Sequence, residues 1–150
     1  MISNFYRLII RILSLSRQEA GAILVKLTGR NIHIRDFQSQ DIGALIEWLH
    51  PHHQWHRLNG PYYPPMPAEE IPAVVSKWVS ADQNSLRRRL IVADAQSNDV
   101  IGMVSRYWIS EETNWTALGI AIYNPRNWGK GYGYEALGLW CDYLFESEPK

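Results

Sequence analysis

Apolar positions along the chain change their period several times, and each change marks an element. Between Asn31 and Asp36, Ile32 and Ile34 alternate with His33 and Arg35, the two-residue period of a strand with one buried face. Asp41 then stands at an N-cap position, and Leu45, Ile46 and Leu49 share one face of a short helix that Pro51 ends. From His50 to Pro67 turn formers dominate: Pro51, Pro61, Pro64 and Pro65 interrupt His50, His52, His53, His56 and the aromatics Trp55, Tyr62 and Tyr63. Helical spacing returns over residues 68–79 through Ile71, Val74, Val75 and Trp78, with Glu69 and Glu70 in the first turn, where the helix dipole favours acid. Strand-like runs follow at residues 90–93, 100–108 and 115–123. The first two are separated by Ser97-Asn98-Asp99 and the last two by Glu111 to Asn114, so they read as antiparallel neighbours. Residues 131–145 predict the longest helix, with Tyr134, Leu137, Cys141, Leu144 and Phe145 as its buried stripe and Glu135, Asp142 and Glu146 facing away. This order predicts an α/β arrangement with a largely antiparallel central sheet flanked by helices, and it contains no internal repeat.

Composition narrows the classes of function. A chain of 150 residues accommodates one domain with a real core. Fifteen basic residues balance fifteen acidic ones, and the seven tryptophans are not interleaved with basic runs, so nucleic acid is not the expected partner. The single cysteine, Cys141, has no internal disulfide partner, and with no secretory signal or long apolar run the expected compartment is the cytoplasm. Residues 1–23 stand apart as a basic extension to the domain at 24–150. Phe5, Ile9, Ile12 and Leu13 recur at helical spacing while Arg7, Arg11 and Arg17 meet no acid before Glu19. Such a helix is compatible with weak contact to an anionic membrane surface through residues 1–20, with a frayed or swapped helix, or with translated sequence upstream of the true start.

Candidate chemistry concentrates between Ile120 and Gly133, where a strand passes through a glycine-rich turn into the long helix. The first turn of a helix carries unpaired N–H groups and the positive end of the dipole, and Gly129, Gly131 and Gly133 would let a bulky anion reach them. Lys130 adds charge at the rim. A nucleoside-triphosphate loop would need Ser or Thr after Gly-Lys, where this chain has Gly131, and a dinucleotide fold would need parallel β-α-β units. A tight turn that needs glycine only for positive φ accounts for the same residues. The histidines offer no metal expectation: His-Pro-His-His lacks the i, i+4 spacing of a zinc pair on a helix, and no Cys or Asp partner follows.

The run Trp128-Gly129-Lys130-Gly131-Tyr132-Gly133-Tyr134-Glu135-Ala136-Leu137 resembles the coenzyme-binding motif of the GNAT N-acetyltransferases, Gln/Arg-x-x-Gly-x-Gly/Ala. Gly131 and Gly133 fill both glycine positions, and Trp128 replaces the usual glutamine or arginine. That replacement is similar to the branch containing the ribosomal-protein alanine acetyltransferases, as are Leu27-Thr28-Gly29-Arg30, Asn59-Gly60-Pro61-Tyr62-Tyr63 and Leu118-Gly119-Ile120. The resemblance implies an acetyl-CoA-dependent transferase acting on a primary amine, by direct attack on the thioester. It implies coenzyme contacts at Ile122, Tyr123, Trp128, Gly129, Lys130, Gly131, Tyr132 and Gly133, with backbone groups of Ile122 and Tyr123 left open beside the pantetheine arm. It also implies an acceptor pocket in the early loop, for which Trp55, His56, Tyr62 and Tyr63 are the candidates.

Relatives often place a catalytic glutamate just before the Leu-Gly-Ile strand, where this chain has Ala117. Glu111 and Glu112 in the preceding turn, or one of the four loop histidines, are the candidates for the base. Relatives also continue past Lys150 with further strands and a helix, so the chain is expected to be C-terminally incomplete, or its open sheet edge completed by a partner such as a second copy. A catalytically silent coenzyme-binding or interaction module, and an assembly protein working through residues 1–20, are the rival expectations.

Overall fold

Five strands, β1 (Lys26–Thr28), β2 (Ile32–Arg35), β3 (Arg89–Asp94), β4 (Val100–Ser110) and β5 (Trp115–Ile122), lie side by side in chain order, each antiparallel to the next. The computed structural model describes residues 24–81 and 86–147. The amphipathic helix expected at residues 1–20 and the extension at 1–23 lie outside the described residues. Helices α1 (Ile42–Leu49) and α2 (Ile71–Val79) cover one face of the sheet and α3 (Tyr132–Ser147) covers the other. Period-two alternation on β3 explains how one sheet feeds two cores. Leu90 and Val92 join Ile32, Ile34, Trp140 and Leu144 under α3, while Ile91 and Ala93 join Leu45, Leu49, Ile71 and Val75 under α1 and α2. Among the described residues no helix is long and apolar enough to cross a membrane.

The α/β architecture, the antiparallel strands and the helices are as expected, with three corrections. First, the strand at Ile32–Arg35 is preceded by β1, which pairs Leu27 with Ile34 across a turn at Gly29 to Asn31. Three residues are too few to show a period. Second, the polar face of β2 is buried, because Arg35 donates to both carboxylate oxygens of Asp41 at 2.7 and 2.9 Å and to Asn98 Oδ1 at 2.8 Å, which also accepts from His33 Nε2 at 2.8 Å. Asp41 therefore makes no side-chain cap to α1; its carboxylate is committed to Arg35 and to the Gln38 N–H at 2.8 Å. A second buried pair, Arg87 Nε to Asp36 Oδ1 at 2.6 Å, sits beside the Val25 N–H, which donates to Asp36 Oδ2 at 2.6 Å.

Third, α3 is rotated from the expected stripe. Ala136, Leu139, Trp140 and Leu144 are buried, whereas Tyr134 and Phe145 are 80% and 83% exposed. The helix is apolar nearly all round, so periodicity alone leaves its face ambiguous. Trp140 decides it, as the largest side chain, by burying its ring and donating its indole N–H to Ser105 O at 3.0 Å. Glu135, expected to face away, accepts from the Asn31 N–H at 2.9 Å and pins the helix over the β1–β2 turn.

His33 is predicted to give the fold a pH dependence. Burial holds its pKa below the usual 6.5, and the Lys26 and Arg35 charges act in the same direction. The unfolded chain then binds the proton more readily, so this contribution is complete above about pH 6.5 and is lost as pH falls toward the lower folded value. Urea denaturation at pH 7.5 and 5.5 should show lower stability at 5.5, and His33→Gln should flatten that slope; an unchanged slope would contradict the assignment.

Candidate functional site

The chain leaves β5 through a turn that its own side chains shape. Tyr123 N–H donates to Ile101 O at 3.0 Å, the last bond that holds this strand to its neighbour. Asn124 then caps a single 3-10 turn at Pro125–Asn127, its side chain accepting from the Arg126 N–H at 3.0 Å while Pro125 supplies a preset φ. The indole of Trp128 folds back and donates to Ile122 O at 2.7 Å, with its ring against the core under α1 and α2. Gly129 and Gly131 have φ of +73° and +83°, a conformation strained for other residues, and nothing stands within 4 Å of where a Cβ would project. The first helical bond, Glu135 N–H to Gly131 O at 3.0 Å, leaves the earlier N–H groups of α3 without helical partners.

A cleft of ≈ 280 Å³ lies in front of this turn. Ile120, Ile122, Trp128, Gly129, Gly131, Tyr132 and Gly133 form one side, and Trp55, Leu58 and Asn59 the other. β5 is the last strand of the sheet among the described residues, so its backbone is paired on one side only. Because Tyr123 N–H faces β4, the alternation of an antiparallel ladder turns the groups of Ile120 and Ile122 outward, and the Ile122 carbonyl, held by Trp128, shows this directly. The arrangement combines helix N–H donors and a dipole suited to an anion, an open strand edge suited to an extended amide chain, and an apolar far wall.

Of the coenzyme-loop candidates, Ile122, Trp128, Gly129, Gly131, Tyr132 and Gly133 are brought together around the cleft. Lys130 is exposed, its Nζ 5.9 Å from the Tyr132 ring centre, and does not line it. Tyr123 departs further from expectation. Its N–H is already bonded, and its phenol is buried with no hydrogen-bond partner among the described residues, which raises its pKa well above the usual range. Among the acceptor-pocket candidates, Trp55 reaches the cleft but is a core residue, its ring 5.1 Å from Tyr123 and its indole donating to Trp48 O at 2.6 Å. His56 packs on Trp55 at 3.9 Å, and burial lowers its pKa below 6.5. Tyr62 and Tyr63 are exposed and line no part of the cleft.

The structure does not bring Glu111 and Glu112 to the cleft. They are exposed in the β4–β5 turn, at the other end of a strand whose seven steps from Trp115 to Ile122 span roughly 24 Å at about 3.4 Å per residue. Sequence reasoning missed Leu58, Asn59 and Ile120 as lining residues. The 3-10 turn at Gln54–Asn59, which carries the first two over the glycine loop, is too short for periodicity to reveal.

Residues 31–149 match the family described as acetyltransferase (GNAT) domain. No curated protein matches the sequence significantly. Three similar solved structures are an acetyltransferase (GNAT family) from Bacillus anthracis, with 20% identity, TM-score 0.62 and 81% of this chain covered; a GCN5-related N-acetyltransferase from Brucella melitensis, with 17%, 0.59 and 81%; and a proposed ribosomal-protein-serine acetyltransferase from Vibrio cholerae, with 20%, 0.59 and 81%. This chain spans 67%, 55% and 67% of their respective lengths.

Two substitutions separate the packing and bonding roles at the turn. Tyr123→Phe removes a buried hydroxyl that has no hydrogen-bond partner among the described residues, so urea denaturation should show equal or greater stability, by up to about 1–3 kcal/mol. Trp128→Phe keeps most of the ring but leaves the Ile122 carbonyl without its donor, and should cost about 1 kcal/mol. A loss on Tyr123→Phe would mean that the phenol has a partner.

Proposed function

Because the chain belongs to the GNAT acetyltransferase family, we propose that its cleft binds acetyl-CoA and that the reaction passes the acetyl group to a primary amine, such as a protein N-terminus or a small amine. The observation that carries this reading is the pairing of a glycine turn at a helix N-terminus with an open strand edge across one cleft. The backbone N–H groups from Gly129 to Gly133 point a positive field at the position a pyrophosphate would take. The outward amides of Ile120 and Ile122 pair with the amide groups of a pantetheine arm, as an added strand would.

Acetyl-CoA supplies a thioester carbonyl, and a neutral amine attacks its carbon. The new C–N bond forms as the C–S bond breaks, and the amine proton leaves to a base or water while the thiolate is protonated. The Ile122 N–H at the strand edge is the donor best placed to stabilise the developing oxyanion, because it is preorganised and not taken by β4. We assign the base to neither Glu111 nor Glu112, given their distance from the cleft. The acceptor must be unprotonated, so for an α-amine of pKa about 7.7 to 8.0 the rate should rise with pH through that range. The exposed early loop is the proposed acceptor side, with Leu58 and Asn59 nearer to the cleft than Tyr62 and Tyr63.

Gly133→Glu tests the coenzyme site without confounding it with folding. Gly133 needs no positive φ, and a Cβ there would meet Ile120 Cδ1 at an ordinary 3.9 Å. A carboxylate in the first helical turn favours the helix but repels a pyrophosphate. The wild-type chain should gain thermal stability with acetyl-CoA, about 2.7 kcal/mol at a hundred times Kd. Gly133→Glu should keep the ligand-free transition and lose the gain. A cooperatively folded wild type with no shift would defeat the proposal, and a shift without turnover on any amine would leave a coenzyme-binding module.

A further inference from the structure

Helix α1 ends at Leu49, and the chain then makes a closed turn through His50-Pro51-His52-His53. Pro51 prevents the helix from continuing, and the His53 N–H donates to His50 O at 3.2 Å. This turn folds the imidazoles of His52 and His53 back over Glu47, one turn earlier on the helix. Glu47 Oε1 lies 3.1 Å from His53 Nε2 and 3.7 Å from His52 Nε2. One ligand atom from each of the three residues falls within a 4.8 Å sphere of mutual distances. The partner absent from the sequence reading precedes the histidines, on a different element.

We propose that Glu47, His52 and His53 form a binding site for a divalent ion of the Zn²⁺ class. Tetrahedral zinc with bonds of about 2.0 to 2.2 Å sets its ligand atoms about 3.3 to 3.5 Å apart, and the two carboxylate–imidazole separations bracket that value. Two imidazoles and one carboxylate suit zinc and its transition-metal neighbours, whereas Mg²⁺ and Ca²⁺ take oxygen ligands. Three protein ligands leave a fourth position for water. The outer contacts are those a metal-binding histidine needs. His52 Nδ1 lies 2.6 Å from His50 Nδ1, which orients the ring, and the His53 ring is mostly covered and rests against Trp48 at 4.6 Å.

A plain ion pair explains the arrangement less well. The ring centres of His50, His52 and His53 stand 4.5 and 4.0 Å apart in sequence, and two of these imidazoles are gathered on one carboxylate oxygen where a pair would need only one. The Glu47 carboxylate accepts from His53 Nε2 at 3.1 Å, and a cation would take the place of that proton between the same atoms. The ion would tie the turn to α1. Trp48 carries that restraint toward the cleft, since it stacks on Tyr123 at 6.1 Å and Tyr123 in turn packs on Trp55. Binding of the ion does not depend on the transferase reading.

The test uses untagged full-length chain stripped with a chelator and titrated with ZnCl₂ in competition with a chromogenic chelator. One equivalent of Zn²⁺ is expected, with Trp48 reporting through fluorescence and Co²⁺ giving the intense visible absorption of a four-coordinate ion. Glu47→Gln, His52→Gln and His53→Gln should each weaken uptake at least tenfold, and the His52→Gln/His53→Gln pair should abolish it. Glu47 and His52 are exposed, so their variants should keep the ligand-free circular dichroism and melting transition. Cys141→Ser, on α3 across the sheet, should bind as the wild type does. No stoichiometric uptake by the wild type, uptake unchanged in the double variant, or uptake lost in Cys141→Ser would overturn the proposal.

Discussion

The bond from the Trp128 indole to the Ile122 carbonyl is the constraint on which the cleft depends. It ends β5 by satisfying its last outward carbonyl, and it brings the loop back against the core under α1 and α2. With the Asn124 cap and the left-handed Gly129 and Gly131, it sets the direction in which α3 departs. A weaker anchor would let the helix N-terminus drift from the strand edge, and the coenzyme site proposed above needs that spacing held to a fraction of an ångström. The position where the family motif has glutamine or arginine thus serves here as a structural clamp, with an apolar ring doing the packing and a single N–H the bonding.

The sheet that presents β5 is held by buried charge as well as by apolar packing. Arg35, Asp41 and Asn98 connect β2, the start of α1 and the β3–β4 turn, while Asp36 and Arg87 connect the chain before β1 to the approach to β3. Such pairs must offset a large desolvation cost, so their net contribution to stability is small, while removing either partner would leave a buried charge unpaired. Asn98 takes φ of +64° to put its carbonyl and side chain within reach of Arg35. Because β4 follows directly from that turn and β5 pairs with β4, errors at this polar frame would propagate to the cleft.

Aromatic packing joins the other wall to the same frame. Trp48, Trp55 and Tyr123 form one contiguous group between α1, the 3-10 turn that follows it and the end of β5. The early loop is therefore not an independent flap: its Trp55 is a core residue that also reaches the cleft, where Leu58 and Asn59 join it as lining. The histidine turn sits on the outside of this group and is coupled to it through Trp48.

The amino-acid sequence by itself determined the α/β class, the strands from Ile32 onward, all three helices and the glycine turn, because each rests on a local period or on residues adjacent in the chain. It also carried the family motif, whose loop residues, apart from Tyr123 and Lys130, do meet at the cleft. Tertiary structure alone decided which face of α3 is buried, since a helix apolar on most sides takes its orientation from Trp140 and Glu135 finding partners more than thirty residues away. It alone showed that the polar side of β2 is inside, that Tyr123 and Trp55 are core, that Glu111 and Glu112 stand a full strand length from the cleft, and that Glu47 faces His52 and His53. These are distances between separate elements. Local pattern encodes what each segment buries, whereas the packing of segments against one another decides which side chains meet.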